Sequence, residues 1–330
     1  MIPGESPPII IDALQCSNWD RELFEELRAG GVSCVHVTCA VWEGARATLE
    51  NLSQWYRYFR DHSDLLRPVY SGRDIQTAVE QGQTGVILGF QNSSPLEGDL
   101  GLVEVFHRLG VRVIQLTYNN QSLLGAGCYE ASDAGLTRFG REVIGEMNRL
   151  GIIVDLSHVG PQTTLDAIQF SQRPVAVTHA NPASFHPIKR NKSDEVLIAL
   201  AQNGGVLGCS LYPHLIGGRE VTRQAFCEMI ARTVDLMGID HVGIGSDSVR
   251  KCTQDDLNYL RMGRWTRTVD YGPGRADQAG WPEWQSWFQS PLDFPNLVAG
   301  LRAVGFSEAE TAKIMGENWL RFFSQGFEPY

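Results

Sequence analysis

The sequence lacks a long apolar run, a cysteine-pair motif and an excess of positive charge, and each absence excludes a class of protein. No stretch approaches the roughly 18 apolar residues that a membrane helix needs. The formal net charge is -10, which disfavours nucleic acid and anionic membranes as partners because phosphate binding needs a dense basic surface. The N-terminal MIPGESPPIIID has no positive region before an apolar stretch, so we expect a cytoplasmic protein.

Two further motifs are missing. The 7 cysteines are odd in number and include no CxxC pair, which favours reduced thiols over a disulfide framework or a cysteine zinc site. No GxGxxG follows an apolar run, which argues against a dinucleotide-binding Rossmann sheet.

What is present is a repeat of short apolar runs separated by amphipathic stretches, the pattern of βα units with a parallel sheet. We predict one α/β domain over residues 1–330, a single (β/α)8 TIM barrel, because an open sheet of this width leaves two edges to protect. Eight strands are predicted, at residues 9–12, 33–39, 85–90, 112–117, 152–157, 174–179, 205–211 and 241–247.

Two segments depart from the repeat. Residues 251–295 follow the eighth predicted strand and contain Trp265, Trp281, Trp284 and Trp287 among Gly, Pro and Arg. Such a segment either covers an active site or contacts another subunit, so a homo-oligomer is one expectation. Residues 307–323 begin with a capping-box pattern, SEAE, and are predicted to form a C-terminal helix that docks on the barrel.

Barrel enzymes carry their chemistry at the C-terminal ends of the strands. Two histidines and an aspartate at one mouth form a metal or acid/base constellation by residue type, although a single histidine at a strand end is more often structural. In chain order these ends display Leu14, Cys16, Gln91, Tyr118, His158, His179 and Asp247.

Three motifs at these ends resemble the membrane (renal) dipeptidase family of zinc metallopeptidases, which have an amidohydrolase-like barrel. They are DLSH at the fifth predicted strand, VTHANPASFHPIKRN after the sixth and GIGSD at the eighth. The similarity runs from about Ile9 to Phe323. It implies a metal-dependent hydrolase barrel that cleaves dipeptides, often with a D-residue in second place.

The resemblance also implies roles for individual residues. In the family two zinc ions share a bridging carboxylate and a hydroxide that attacks the peptide carbonyl. His158 and His179 match the histidines of one zinc site, and Asp247 matches the acid/base group that manages the water and the leaving amine. Arg190, in the motif IKRN, matches the arginine that binds the substrate carboxylate, for which a planar guanidinium is well suited.

Four positions depart from the family pattern. The HxD pair after the first strand is replaced by Leu14 and Cys16, the bridging glutamate by Gln91, and a histidine after the fourth strand by Tyr118. Leucine cannot ligate a metal, and a neutral amide supplies no charge between two dications. We therefore expect one zinc rather than two, with Gln91, Tyr118 and Arg190 contacting a small carboxylate substrate.

Several alternatives stay open at this level. A single zinc would be held by His158 and His179 with Asp247 as third ligand, or by the histidines with Cys16 or a loop carboxylate, Glu130 or Asp133, in a lost ligand's place. Without a metal, the two histidines would serve as general acid and base in an isomerase, lyase or hydrolase. A non-catalytic ligand-binding barrel is the third class.

Overall fold

The computed structural model describes residues 9–263, 267–269, 272 and 276–329. Eight parallel strands form a closed barrel in the order β1, β2, β4, β5, β6, β7, β8 and β9, and helices surround them. The pairing of β2 with β4 and of β1 with β9 closes the ring. Within the described residues the strands are β1 Ile10–Gln15, β2 Val32–Ala40, β3 Leu66–Pro68, β4 Thr84–Phe90, β5 Val111–Gln115, β6 Ile153–Asp155, β7 Ala176–Ala180, β8 Val206–Cys209 and β9 Val242–Ile244.

The predicted (β/α)8 barrel is therefore confirmed, with all eight predicted strands in place. The short strand β3 was not predicted. It pairs with the first residues of β4, where Leu66 lies opposite Thr84. The same edge of β4 pairs with β5 further along the strand, where Leu88 lies opposite Val111. With three residues, β3 is too short to show an alternating apolar pattern.

The helices follow the amphipathic stretches of the sequence. In α5 the Thr137 side chain caps the first turn, an apolar stripe is buried against the barrel, and Gly151 ends the helix with φ 79°, a conformation that favours glycine. The described helices are α1 Arg21–Ala29, α2 Ala45–Asp61, α3 Gly72–Glu80, α4 Gly101–Arg108, α5 Arg138–Leu150, α6 Pro161–Phe170, α7 Asp194–Gln202, α8 Pro213–Ile216, α9 Arg223–Met237, α10 Gln254–Met262, α11 Phe294–Ala303, α12 Glu308–Ala312 and α13 Asn318–Gly326.

The C-terminal helices close the end of the barrel opposite the expected site. Ser307 and Glu310 form a capping box before α12, a π-helical turn at Lys313–Glu317 follows, and α13 continues to Gly326, beyond the predicted end at 323. Trp319 is fully buried and donates from Nε1 to the carbonyl of Ile244, 3.0 Å away. This apolar plug leaves the opposite, C-terminal mouth as the place for chemistry.

In its described residues, the segment after β9 contains helix α10 and two short 3-10 turns before α11 begins at Phe294. In the ranges that the structure describes, no helix combines the length and the apolar character needed to cross a membrane.

Candidate active site

A pocket lies at the C-terminal mouth of the barrel. Six positions singled out in the sequence meet there, on loops from different strands: Cys16, Gln91, Tyr118, His158, Arg190 and Asp247. His179 lies directly beside the pocket, because its Nε2 atom is 3.0 Å from Nε2 of His158. Leu14 is fully buried and does not line the pocket.

The two histidines face each other through their Nε2 atoms because their Nδ1 atoms bind elsewhere. Nδ1 of His158 lies 2.7 Å from Oδ1 of Asn119, and Nδ1 of His179 lies 2.8 Å from Oγ1 of Thr178. Both rings are buried, and this burial lowers the pKa of each imidazole well below its usual value, with the Arg190 charge adding to the effect. Both histidines are consequently neutral at pH 7.

This pair fits one side of a metal site. Two imidazole nitrogens that bind one tetrahedral zinc at 2.0 to 2.1 Å lie about 3.3 Å from each other, close to the observed 3.0 Å. Neutral imidazole is also the form that ligates zinc. In the described part of the chain, however, no group of three His, Cys, Asp or Glu side chains converges as a metal site. The two Nε2 atoms are thus spaced as two ligands of one zinc would be, but the described residues provide no third ligand beside them, Asp247 included.

Arg190 lies beside the histidines as a buried cation. It is 3% exposed, and it donates to the carbonyls of Ser157 and His179, the latter at 2.9 Å. Because a guanidinium has five N–H groups, three remain without an acceptor among the described residues. Arg190 also forms no ion pair there, so the pocket contains a positive charge that an anionic group can balance.

Asp247 is placed at the end of β9 in a constrained conformation. Its φ is 57°, in the left-handed region that non-glycine residues seldom adopt, and its N–H donates to the carbonyl of Leu14 at 3.0 Å. Burial raises the pKa of its carboxyl to about 7, although the charge of Arg190 acts in the opposite direction. A carboxyl with such a pKa suits proton transfer near neutral pH.

The positions that depart from the family pattern form a neutral side of the mouth. Gln91 donates from Nε2 to Oγ1 of Thr38 at 2.8 Å, so its Oε1 is the atom left without a partner in the described chain. Burial raises the pKa of the Cys16 thiol well above its usual value, which keeps it protonated. A protonated thiol is a poor zinc ligand. Cys16 therefore does not supply the negative charge of the aspartate that the family has at this position.

Tyr118 packs against one face of the His158 ring. The two rings stack with centroids 4.2 Å apart, and Trp42 meets Tyr118 edge-to-face at 5.3 Å. Burial raises the pKa of the Tyr118 hydroxyl well above its usual value, so the phenol stays neutral. The stacking holds one face of the His158 ring against movement.

The described part of the segment after β9 lies over the pocket. Leu257, Leu260 and Arg261 of α10 line it, together with Trp281. Trp281 donates to the carbonyl of Thr253 at 2.7 Å, which ties the segment to the start of α10.

Trp42 donates from Nε1 to the carbonyl of Leu260 at 3.1 Å, which joins α10 to the opposite wall of the mouth. Trp284 packs against the core, and Trp287 donates to the carbonyl of Val221 at 2.8 Å. Trp265 lies outside the described residues.

The acidic loop residues do not reach the pocket. Asp133 accepts from the backbone N–H and the hydroxyl of Thr163, at 3.0 and 2.6 Å, and so caps the first turn of α6. Glu130 accepts from the N–H of Gln121 at 2.6 Å. The hypothesis that one of them replaces a lost metal ligand is wrong, because both carboxylates accept hydrogen bonds outside the pocket.

Sequence reasoning missed the residues that hold the histidines. Asp155 stands in the quoted motif DLSH, and Thr178 directly precedes His179, but neither was singled out. Asn119 follows Tyr118 and has φ 62°. The positive φ of this asparagine cannot be predicted from the sequence TYNN, because it is the fold that imposes this conformation.

A family model and two dipeptidases match this chain. The family model described as membrane dipeptidase, peptidase family M19, matches residues 16–259. Dipeptidase tcpJ of Claviceps purpurea is 28% identical over 317 residues, which cover 92% of this chain and 68% of the relative. Dipeptidase verJ of Clonostachys rogersoniana is 29% identical over 260 residues, which cover 73% of this chain and 67% of the relative.

Among solved structures, an amidohydrolase from Pseudomonas aeruginosa is similar with a TM-score of 0.92 and 39% identity, over 98% of this chain and 97% of that chain. A metallopeptidase from Rhodobacter sphaeroides, solved with a phosphinate mimic of the dipeptide L-Ala-D-Ala, has a TM-score of 0.79 and 18% identity. The shared part is 96% of this chain and 99% of that one, and at this identity the likeness shows the fold alone.

Proposed function

The chain belongs to the membrane dipeptidase family, peptidase family M19, and from this premise we propose that it hydrolyses a dipeptide or a related small amide with a free carboxylate, using one zinc ion. The family and its dipeptidase relatives make it a hydrolase with a dipeptidase-like function. The zinc count and the substrate are the parts that we propose.

The observation that carries the proposal is the buried Arg190 beside the facing histidines. Three of its N–H groups have no acceptor among the described residues, and they suit a carboxylate, to which a guanidinium binds through two parallel hydrogen bonds. The bond from Arg190 to the carbonyl of His179 fixes the distance between the carboxylate position and the histidine pair. A substrate whose carboxylate bound there would have its amide bond close to the histidines.

His158 and His179 are the residues that would hold zinc through Nε2. When bound, zinc lowers the pKa of a water molecule towards neutrality and polarises a carbonyl. Asp247, whose burial raises its pKa to about 7, takes the proton of the attacking water and returns it to the leaving amine. Gln91 Oε1 accepts a hydrogen bond from a substrate N–H, and Tyr118 bounds the pocket beside His158.

Metal-free catalysis by the two histidines has less support. That alternative needs imidazoles that titrate near the working pH. Burial lowers the pKa of both rings well below the usual value, so neither is ready to carry a proton at neutral pH.

The test combines metal analysis with a substrate panel. Protein purified without added metal is stripped, reloaded with zinc, and assayed on dipeptides with an L- or a D-residue in second place. The matched controls are the same dipeptides with an amidated C-terminus. We expect about one zinc per chain, and hydrolysis of the free acids but not of the amides. Full turnover by the stripped protein, or no hydrolysis of any dipeptide, would contradict the proposal.

A further inference from the structure

The chain around Asp247 contains a β-bulge. β1 pairs with β9 at Asp12, which lies opposite Ile244, and with the chain after β9 at Gln15, which lies opposite Ser248. Between these two pairings β1 advances by three residues and the other chain by four, so one residue is extra on the side of Asp247. A bulge of this kind bends the chain and re-aims a side chain. The φ of 57° at Asp247 belongs to this bend.

The carboxylate of Asp12 fills the bulge. Its Oδ1 accepts from the N–H of Ser246 at 2.7 Å, and its Oδ2 accepts from the hydroxyl of Ser246 at 2.5 Å. The side-chain amide of Gln15 donates to Oδ2 at 2.8 Å. Both Asp12 and Ser246 are fully buried, so loss of this carboxylate would leave polar groups of Ser246 without an acceptor.

Hydrogen bonds that begin at Asp12 hold the backbone on both sides of Asp247. The Ser246 hydroxyl has one hydrogen, which goes to Asp12, and its oxygen accepts from the N–H of Ser248 at 3.1 Å. The N–H of Asp247 itself donates to the carbonyl of Leu14 at 3.0 Å. Three successive N–H groups are therefore fixed, two of them through Asp12 and Ser246.

Asp12 also acts on Asp247 through its charge. Burial raises the pKa of Asp12 to about 6, so its carboxyl is mostly ionised at pH 7. Burial is the largest cause of the raised pKa of Asp247, the charge of Arg190 opposes it, and the charges of Asp12 and Asp155 add to it. These three charged groups reach Asp247 from β1, β6 and the loop after β7.

We propose that Asp12 is a positioning residue for Asp247, because its carboxylate fixes the bulge at Ser246 and so aims the Asp247 side chain into the pocket. Asp247 lines the pocket and Asp12 does not. The consequence for catalysis rests on the proposed function, in which Asp247 transfers protons. The same hydrogen bonds stabilise the seam between β1 and β9, so the test needs measurements that stability alone does not change.

Two variants change this arrangement in different ways. Asp12→Asn keeps the shape and one acceptor oxygen and removes the charge. Ser246→Ala keeps the N–H bond to Asp12 and removes the hydroxyl that links Asp12 to Ser248. Ser246→Ala is the smaller change and serves if Asp12→Asn does not fold.

The matched control is Thr84→Val. It removes a fully buried hydroxyl that donates to the carbonyl of Val32 at 2.9 Å, at the start of β4 and thus at the opposite end of the barrel. This variant loses a buried hydrogen bond without changing the surroundings of Asp247.

The first readout is turnover of the best dipeptide by the zinc-loaded protein. We expect kcat to fall about ten- to a hundredfold in Asp12→Asn and in Ser246→Ala, because small displacements of a catalytic group are costly. KM should change little, since Arg190 is untouched, and Thr84→Val should keep the wild-type kcat. An unchanged kcat in both variants, or an equal fall in Thr84→Val, would overturn the proposal.

The second readout is the pKa of the Asp247 carboxyl, measured by 13C NMR titration of the metal-free protein and assigned with Asp247→Asn. Removal of a negative charge favours ionisation of its neighbour, so Asp12→Asn should lower this pKa and Thr84→Val should not. The acid limb of the kcat profile should move to lower pH with it. A wild-type pKa in Asp12→Asn would overturn the proposal. If the wild type cleaves no dipeptide, the proposed function fails, while the role of Asp12 is judged by the titration alone.

Discussion

Two sides of the barrel mouth differ in how their polar groups are used. The retained side, made of His158, His179, Arg190 and Asp247, carries charge and leaves nitrogen and oxygen atoms directed at the pocket. The replaced side, made of Leu14, Cys16 and Gln91, has no charged group, and its amide N–H is bound to Thr38.

Under the proposed function, this difference accounts for one zinc ion rather than two. Two dications near each other need several carboxylates to offset their charge, and the replaced side supplies none. On the retained side, His158 is hydrogen-bonded to Asn119 and His179 to Thr178, which in turn is hydrogen-bonded to Asp155. None of these supporting residues belongs to the replaced side.

The largest expected effect is on the retained side. His179→Ala removes one of the two facing nitrogens, and the loss of several kcal/mol of charge stabilisation should lower kcat/KM about a thousandfold or more. Zinc content after gel filtration and turnover on the best dipeptide are the measurements. The matched control is His36→Gln, a buried histidine that does not line the pocket. Equal losses in both would mean that His179 acts through folding.

Asp247→Asn tests the proton-transfer role. The amide keeps the shape and tolerates the positive φ, but it cannot take a proton, so we expect kcat to fall about a hundredfold with KM little changed. Zinc content should stay at the wild-type level. If zinc is lost together with activity, Asp247 serves as a ligand and the division of roles on the retained side is wrong.

Arg190→Lys keeps the charge and removes the planar fork. We expect KM for a free dipeptide to rise about tenfold, because a hydrogen bond to a charged group contributes roughly 1.5 to 3 kcal/mol. For an uncharged substrate, the KM of the variant should equal that of the wild type. An equal change on both kinds of substrate would show that Arg190 mainly supports the strands through the carbonyls of Ser157 and His179.

Gln91→Glu tests whether one added negative charge is enough to create a second zinc site on the replaced side. We expect no second zinc, since Leu14 cannot ligate and the burial of Cys16 keeps its thiol protonated by raising its pKa. Zinc titration by calorimetry should show the same stoichiometry as the wild type. A second equivalent of bound zinc would mean that the loss on this side depends on Gln91 alone.

The last prediction concerns stability rather than activity. Because burial raises the pKa of Asp247 to about 7, the folded metal-free protein keeps a proton that the unfolded chain, with an ordinary pKa near 3.8, loses. The free energy of unfolding therefore falls as pH rises from about 4 to 7, by at most about 1.4 kcal/mol per pH unit from this group. Asp247→Asn should flatten that fall in urea titrations. An unchanged slope would place the pKa of Asp247 near its usual value.

Much of the barrel was readable because each strand is a short apolar run with its own helix. His158, His179 and Asp247 were found for the same reason, since parallel strands bring their ends together. The cover by α10 was only one of two interpretations, because a Trp-rich segment looks the same over a pocket and at an interface. Asn119 and Thr178 were missed because asparagine and threonine are common in loops and strands, and their partners are distant in sequence.

The sequence by itself determined the fold class, the family and the positions of the two histidines, Arg190 and Asp247, because these depend on local patterns and ordered motifs. It also showed that Leu14 and Gln91 cannot supply the charge of a second metal site. Only the tertiary structure decided how the groups act together. The 3.0 Å approach of the Nε2 atoms, the burial of Arg190 beside them and the raised pKa of Asp247 depend on contacts between different strands, which no single segment of the chain contains.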